Sequence, residues 1–487
     1  MDFRIVICIL SLIGGVVSAS MLLPALWAYF DGTPDFPVLA LCALFSLGVS
    51  GAAFWLSRPR GAIRRGGDFG AREAFAIVSF SWIVASVIGA MPYVLYGSVP
   101  TFTDGFFEAM SGFTTTGASI LTDIESNPRG ILLWRALTHW LGGMGIIVLG
   151  LAVMPLLGTG AMELYKAEVP TPIPEKLTPR LHQTAVLLWE LYFLLTALET
   201  GALMLCGLSF FDSVTHSFAT LATGGFSPYN ASIAHFASPT VEWVITLFTF
   251  LAGVNFTLHY LFLRGEFGAY FKDDEFRFYT WLAAGAAVIM TISALAHAMP
   301  GGAAKVFRHA VFQVVTILTT TGFSVTDTEQ WPVLCHLTLL LLMFIGGCAG
   351  STGGGIKVLR VLLLARSAGK EMKQTLQPHR VLCVRVNGKP VKNSILTSVT
   401  AFFVLYMFIY GALVLFMTAL DIDLVSSMSG VLACLSNVGP GLGNYGPVDN
   451  YAGVPSVGKW VLSFAMLIGR LELLTVLMLF MPSVWRR

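Results

Sequence analysis

The sequence predicts an all-α polytopic membrane protein: four tandem units of helix, half-helix and helix around a pseudo-fourfold axis, preceded by two extra N-terminal transmembrane helices. Three observations carry this. Of the 487 residues, 55% are hydrophobic and only 11% are charged, where a soluble protein carries roughly 25% charged residues. Apolar windows of about 20 residues, the length of one bilayer-crossing helix, recur along the whole chain. A short semi-apolar segment followed by a glycine-containing strand also occurs four times, always between two such windows.

Ten spans are expected, near 4–30, 36–57, 73–97, 131–157, 183–208, 240–263, 276–298, 333–364, 395–420 and 459–481. The first is too long for a signal-peptide core and lacks a clear cleavage site, so it reads as a retained helix. An even number of spans puts both termini on one side. Of the 29 Lys and Arg residues, 23 fall on the termini and even-numbered connections and 5 on the opposite side. That asymmetry places the termini in the cytoplasm. The remaining one, Arg470, falls inside the last span. The seven cysteines show no CxxC spacing and imply neither a metal nor a disulfide.

The four unusual connections read FTDGFFEAMSGFTTTGAS (102–119), FFDSVTHSFATLATGGFS (210–227), VFRHAVFQVVTILTTTGFS (306–324) and VSSMSGVLACLSNVGPG (425–441). An apolar segment of about 12 residues is too short to cross a bilayer and too greasy for a watery loop; a re-entrant half-helix with an extended return fits it. Aligned on Gly117, Gly225, Gly322 and Gly439, the copies recur at intervals of 108, 97 and 117 residues. Asp104 and Asp212 stand thirteen residues before the aligned glycine, where a helix N-cap is expected. His309 holds that place in the third copy, and in the fourth Asp423 lies three residues earlier.

Thr and Gly in membrane segments can simply let helices pack closely. Four equivalent strands, each behind a half-helix and all on one side, ask for more. A dehydrated cation needs several oxygens; carboxylates would trap it, whereas rings of backbone carbonyls replace its water shell and let it leave. Glycine is required where a carbonyl must turn inward at dihedrals other residues avoid. Each half-helix would direct the negative end of its dipole towards the axis.

With HWLGGMGI (139–146) and CAGSTGGGIK (348–357), these strands make the chain resemble the TrkH-type potassium transporters of the Trk/Ktr/HKT superfamily, over essentially its whole length. The resemblance implies a potassium filter at Thr115, Thr116, Gly117, Thr223, Gly224, Gly225, Thr320, Thr321, Gly322, Asn437, Val438 and Gly439. A glycine in all four strands implies K⁺ selectivity, although SNVGPG departs from the threonine pattern. Residues 1–70 then carry the two extra helices. The helix–pore-helix–helix repeats are 71–180 with filter strand 114–119, 181–275 with strand 222–227, 276–392 with strand 319–324, and 393–487 with strand 436–441. The third repeat also holds an intramembrane glycine loop, 346–355, and a basic cytoplasmic loop, 366–392.

The loop FIGGCAGSTGGGIK lacks the G-x-x-x-x-G-K-[ST] order and the preceding strand of a phosphate-binding loop. Six glycines at mid-membrane depth exceed what a kink needs. A broken helix crossing below the filter would form a movable gate at Gly350, Ser351, Thr352, Gly353, Gly354 and Gly355, as in the family. Arg470 is expected to seek a partner on another element, since Glu472 is off its helical face and loop carbonyls suit five N–H donors; an ion pair with another helix is the alternative. Glu190 and Glu199 fall on opposite faces of one helix. His139, Asn255 and His259 read as interhelical hydrogen-bonders, and Lys357 as marking the cytoplasmic end of its helix.

No Ser/His or His/Asp/Glu constellation suggests an enzyme, and no cofactor or nucleic-acid partner is expected. All four repeats point the same way, which disfavours an inverted-repeat transporter. The expected function is K⁺ uptake across the bacterial inner membrane. H⁺- or Na⁺-coupled symport, or a less selective Na⁺/K⁺ transporter of the same architecture, is the alternative. The resemblance also implies a homodimer and a cytoplasmic nucleotide-binding regulatory ring of the TrkA type, for which the basic loop would be a docking site.

Overall fold

The computed structural model describes residues 2–57, 71–145 and 181–485. The basic residues expected at 58–65 and at 166–180, and the second half of the span at 131–157, lie outside them. The extra N-terminal helices run from Phe3 to Asp31, with a break at Met21, and from Phe36 to Ser57. Both pack near the first repeat through a core that includes Ile13, Val17, Leu39 and Trp82.

Each repeat opens with a long helix: Ala71–Tyr96, Leu181–Leu205, Asp274–Ala296 and Asn393–Thr418. A half-helix follows: Phe102–Phe113, Phe210–Leu221, Gly302–Leu318 and Leu424–Leu435. Three of these have 12 residues, and the third is longer, at 17. In the first, every residue from Asp104 to Phe113 is buried, as expected for a helix enclosed by protein rather than resting on a core.

The capping differs from the sequence expectation. Thr101 and Ser209 are the N-caps, their hydroxyls accepting the N–H of Asp104 and Asp212, which therefore stand at the third helical position. The signal was readable as T-x-x-D and S-x-x-D, a relative of the capping box. Asp423 is a true N-cap to Ser426 N (3.0 Å), and the third half-helix starts at Gly301 without a side-chain cap.

The second helices depart most from expectation. The segments read as continuous spans at 240–263 and 459–481 are each bent sharply, by 100° between Ala252 and Phe256 and by 113° between Arg470 and Leu474. In the third repeat, Val333–Ile345 is separated from Val358–Leu376 by the glycine loop. In the first, the helix Arg129–Gly143 stops at a glycine pair. Asn255 caps the restart of the second-repeat helix by accepting Thr257 N (2.9 Å), and Glu472 and Leu473 take positive φ at the fourth-repeat bend. Among the described residues six helices are therefore long and apolar enough to cross a membrane, or eight if each bent pair counts as one span. The basic segment is likewise not all loop, because its first part continues the helix Val358–Leu376 before a hairpin, β1 (Arg385–Val386) and β2 (Lys389–Pro390).

Candidate functional site

After each half-helix the backbone makes the same turn. Thr115, Thr223, Thr320 and Asn437 have φ of 53°, 53°, 62° and 57°. Two residues later Gly117, Gly225, Gly322 and Gly439 have φ of 81°, 80°, 80° and 97°. Positive φ at alternate residues reverses the pleat at each peptide, so consecutive carbonyls can face one side. Such dihedrals are costly for a β-branched residue, and the surrounding structure holds them. Thr114 Oγ1 donates to Met110 O (2.7 Å) and meets Thr116 Oγ1 (2.8 Å); Thr319 and Thr321 repeat the arrangement, at 2.8 Å both to Val315 O and between hydroxyls. The hydroxyls of Thr114, Thr116, Thr319 and Thr321 are thus engaged with their own half-helix and strand.

The four strands form a closed ring. A Cβ added to Gly117 would collide with Gly224 O, one on Gly225 with Thr321 O, one on Gly322 with Val438 O, and one on Gly439 with Thr116 O. The order is therefore first, second, third, fourth and back to first, with the first and third strands opposite. Among the described residues no backbone N–H is bonded to the carbonyl oxygens of 115–117, 223–225, 320–322 or 437–439, although buried carbonyls are nearly always satisfied; Gly439 O accepts the Tyr451 hydroxyl instead (2.9 Å). Asn437, which stands where the other three strands have threonine, joins the ends of the ring: its Nδ2 donates to Thr116 Oγ1 (2.9 Å) and to Met466 O (3.0 Å). A single cavity touches all four glycines on the side from which the half-helices enter. Near it, Glu329 has its carboxyl pushed above the usual range, first by burial and then by Asp449 and Asp327.

The glycine loop lies directly beneath. Gly354 N donates to Thr320 Oγ1 (2.7 Å), below the third strand, and a Cβ on Gly354 would collide with Ser436 O, below the fourth. On its other flank the loop packs into the second-repeat bend: Cys348 N donates to Gly253 O (2.9 Å), Thr352 Oγ1 to Ala252 O (3.2 Å), and Phe256 N to Gly350 O (3.0 Å). Arg470 comes from the fourth repeat. Its Nη1 donates to Thr352 O (2.7 Å) and Thr115 Oγ1 (3.2 Å), and its Nη2 to Gly142 O (2.7 Å) and Gly143 O (2.8 Å). One guanidinium thus spans a loop carbonyl, the first strand and the end of the first repeat's second helix. Carbonyl partners on other elements are what its sequence position called for.

A family model for TrkH, described as a cation transport protein, matches residues 62–487. The chain belongs to the TrkH family. The Trk system potassium uptake protein TrkH of Salmonella typhimurium is 39% identical over 491 residues, covering 100% of both chains. TrkG of the same system in Escherichia coli K12 is 35% identical over 472 residues, covering 96% of each. The crystal structure of the potassium transporter TrkH from Vibrio parahaemolyticus matches with a TM-score of 0.90 at 34% identity, covering 100% of both chains.

Other polar residues of this TrkH-family chain were read less well from sequence. Lys357 does not mark a helix end at the membrane surface: it is buried with φ of 81°, and its Nζ bonds Gly353 O within the loop. Glu472 pairs with Arg360, which also donates to Ile356 O (3.0 Å). His139 bonds Gly112 O (2.7 Å) and stacks on Phe226, and His259 bonds Leu251 O (2.9 Å) and Tyr270 Oη (2.6 Å), as expected of interhelical hydrogen-bonders.

Three ion pairs around the ring, two of them buried and one half-buried, escaped the sequence reading altogether. Arg135 pairs with Glu108 (2.6 Å) and donates to Ser227 O beside the second strand (2.9 Å). Arg308 of the third half-helix pairs with Glu242 of the second repeat (2.5 Å), and Lys459 of the fourth repeat pairs with Asp104 of the first half-helix (2.7 Å). Their partners lie 27, 66 and 355 residues apart, beyond any local pattern. The one available signal was the presence of charge on the poorly charged face.

Proposed function

We propose that the chain takes up K⁺ through a central pore across the bacterial inner membrane, with Thr115–Gly117, Thr223–Gly225, Thr320–Gly322 and 437–439 as a carbonyl filter. The observation that carries the reading is the fourfold repetition of positive φ, with each glycine abutting the next strand's carbonyl oxygen. Such a ring substitutes for a hydration shell without a trapping charge. The names of the relatives, potassium uptake proteins and a potassium transporter, support K⁺ as the transported ion. The activity is transport rather than catalysis, with no cofactor.

In this reading residues 350–355 and Arg470 form the gate. The loop lies under the strands, and a guanidinium beside it repels a permeating cation until displaced. The 23-to-5 distribution of basic residues supports cytoplasmic termini, with the cavity at the four glycines facing outward. The family resemblance supports a homodimer and a TrkA-type nucleotide-binding ring docked at the basic segment.

The test is K⁺ and Na⁺ flux in proteoliposomes, with and without a proton or sodium gradient. Parent protein is expected to favour K⁺, and Gly117→Ser to lose roughly tenfold or more of that preference, because its side chain must displace Gly224 O. Unchanged selectivity would sink the filter assignment. Flux that required a proton or sodium gradient would favour symport.

A further inference from the structure

Glu275 stands in the first turn of the third repeat's first helix, 6% exposed, and belongs to neither the ring nor the Arg470 cluster. Its Oε1 accepts two backbone N–H groups, from Ala349 at 2.6 Å and from Leu359 at 3.0 Å. These residues flank the glycine loop on its two shoulders. One carboxyl oxygen therefore bridges both sides of the loop's base, beside the backbone bonds from Ile356 N to Phe344 O (3.1 Å), Lys357 N to Ile345 O (2.7 Å) and Val358 N to Gly347 O (3.0 Å) that also join them.

The two residues before Glu275 face a different neighbour. Asp274 Oδ2 accepts from Arg366 Nη1 (2.8 Å) and from Asn387 N (3.0 Å). Asn387 Nδ2 donates to Asp273 Oδ2 (2.8 Å), while its Oδ1 accepts Asp274 N (2.8 Å). Asn387 and Gly388, with φ of 51° and 74°, form the tip of the β1–β2 hairpin, the sequence and geometry of a tight two-residue turn. Three consecutive acidic residues thus connect an exposed hairpin to both shoulders of a buried loop.

We infer that Glu275 is the positioning residue of the glycine loop, and that the hairpin tip at Asn387 is the handle through which a force on this face of the protein reaches it. The consequence for flux rests on the gate reading above; the positional claim does not. Displacing the hairpin shifts the helix start through the three hydrogen bonds of Asn387, and the helix start carries an acceptor that both shoulders share. Phe256, Thr320 and Arg470 hold the middle of the loop but not its base.

Cys348 supplies a native reporter, since it is 1% exposed and adjacent to Ala349. In a background with Cys206→Ser and Cys383→Ser, the remaining cysteines (Cys8, Cys42, Cys335 and Cys434) are buried. Thiol labelling of Cys348 and K⁺ flux are read on the same full-length protein in liposomes. Glu275→Ala is expected to raise labelling roughly tenfold, the effect of losing about one hydrogen bond from the seated state. Glu275→Gln keeps an acceptor oxygen and is expected to stay within about twofold of the parent. Asn387→Gly retains the left-handed turn but loses the side chain, and is expected to raise labelling by roughly threefold.

If Glu275→Ala does not fold, Glu275→Asp replaces it, because one methylene less prevents a single oxygen from reaching both N–H groups. Parent-like labelling in a folded Glu275→Ala or Glu275→Asp protein overturns the positioning role, and parent-like labelling in Asn387→Gly overturns the handle. Raised labelling with unchanged flux leaves the positioning role standing and removes the gate reading instead.

Discussion

In the ring, four strands repeat one pair of left-handed residues, and each glycine abuts a carbonyl of the next. In the loop just below, the contacts are each of a different kind. Its neighbours are the second repeat's bend, the Thr320 hydroxyl, a guanidinium from the fourth repeat and Glu275 from the third. The ring is held mostly by backbone contacts and by hydroxyls already engaged locally, so a small displacement meets hard repulsion at once. The loop is held by individual polar contacts that can be exchanged one at a time. Four similar repeats therefore supply a stiff, symmetric part, which the proposed function makes the filter, and a releasable, asymmetric part, which it makes the gate.

The comparison fails most visibly if the ring tolerates a side chain. Gly322→Ala, whose Cβ would meet Val438 O, is expected to lower K⁺ over Na⁺ selectivity by roughly tenfold to a hundredfold while leaving the glycine loop seated. Ion-selective flux measurements decide this, and wild-type selectivity would mean that the ring is not rigid. Next in size is the buried pair at the seam between the fourth and first repeats: Lys459→Ala should cost about 3 kcal/mol by leaving Asp104 unpaired. A thermal-unfolding assay in detergent that gave the parent midpoint would show that the seam needs no charge.

Arg470→Ala tests the lower half. Basal K⁺ flux is expected to rise roughly tenfold with selectivity unchanged, since the guanidinium holds Thr352 O but the ring closes without it. A change in selectivity at constant flux would reverse the assignment of the two halves. Arg470→Lys should recover only part of the closure, because an ammonium cannot reproduce the fork that reaches Thr352, Gly142 and Gly143 together. The smallest effect belongs to Asp423→Ala, which removes the N-cap of the fourth half-helix. It should cost about 1 kcal/mol of stability and leave both selectivity and basal flux as they were.

What could be read from the sequence follows the same division. Thr115–Thr116–Gly117 and its equivalents were legible because backbone geometry demands glycine at a fixed register, and four copies make the demand visible. Arg470 was legible because a lone guanidinium in an apolar segment must be satisfied somewhere. The bends at 253–255 and 471–473 were not, because apolar composition continues through them while the change lies in dihedrals. Lys357 was misread for a related reason, since its charge suggested a surface whereas the loop carbonyls supply its partner. Glu275 and the Arg135–Glu108 pair depend on contacts between distant elements, and a single sequence does not say which elements will meet.

The seams between repeats also settle whether the four units could change places. The fourth repeat presents Lys459 to Asp104, whereas the second presents Glu242, at the same point of its second helix, to Arg308. A tetramer of identical second repeats would set Glu242 towards Asp212, and one of identical fourth repeats would leave Lys459 facing a half-helix whose aligned residue is Ser426. Neither tetramer could satisfy its own buried charge. The order of the repeats is written into their edges, so the ring can close in one cyclic sequence only, and a shared polypeptide is what guarantees that sequence.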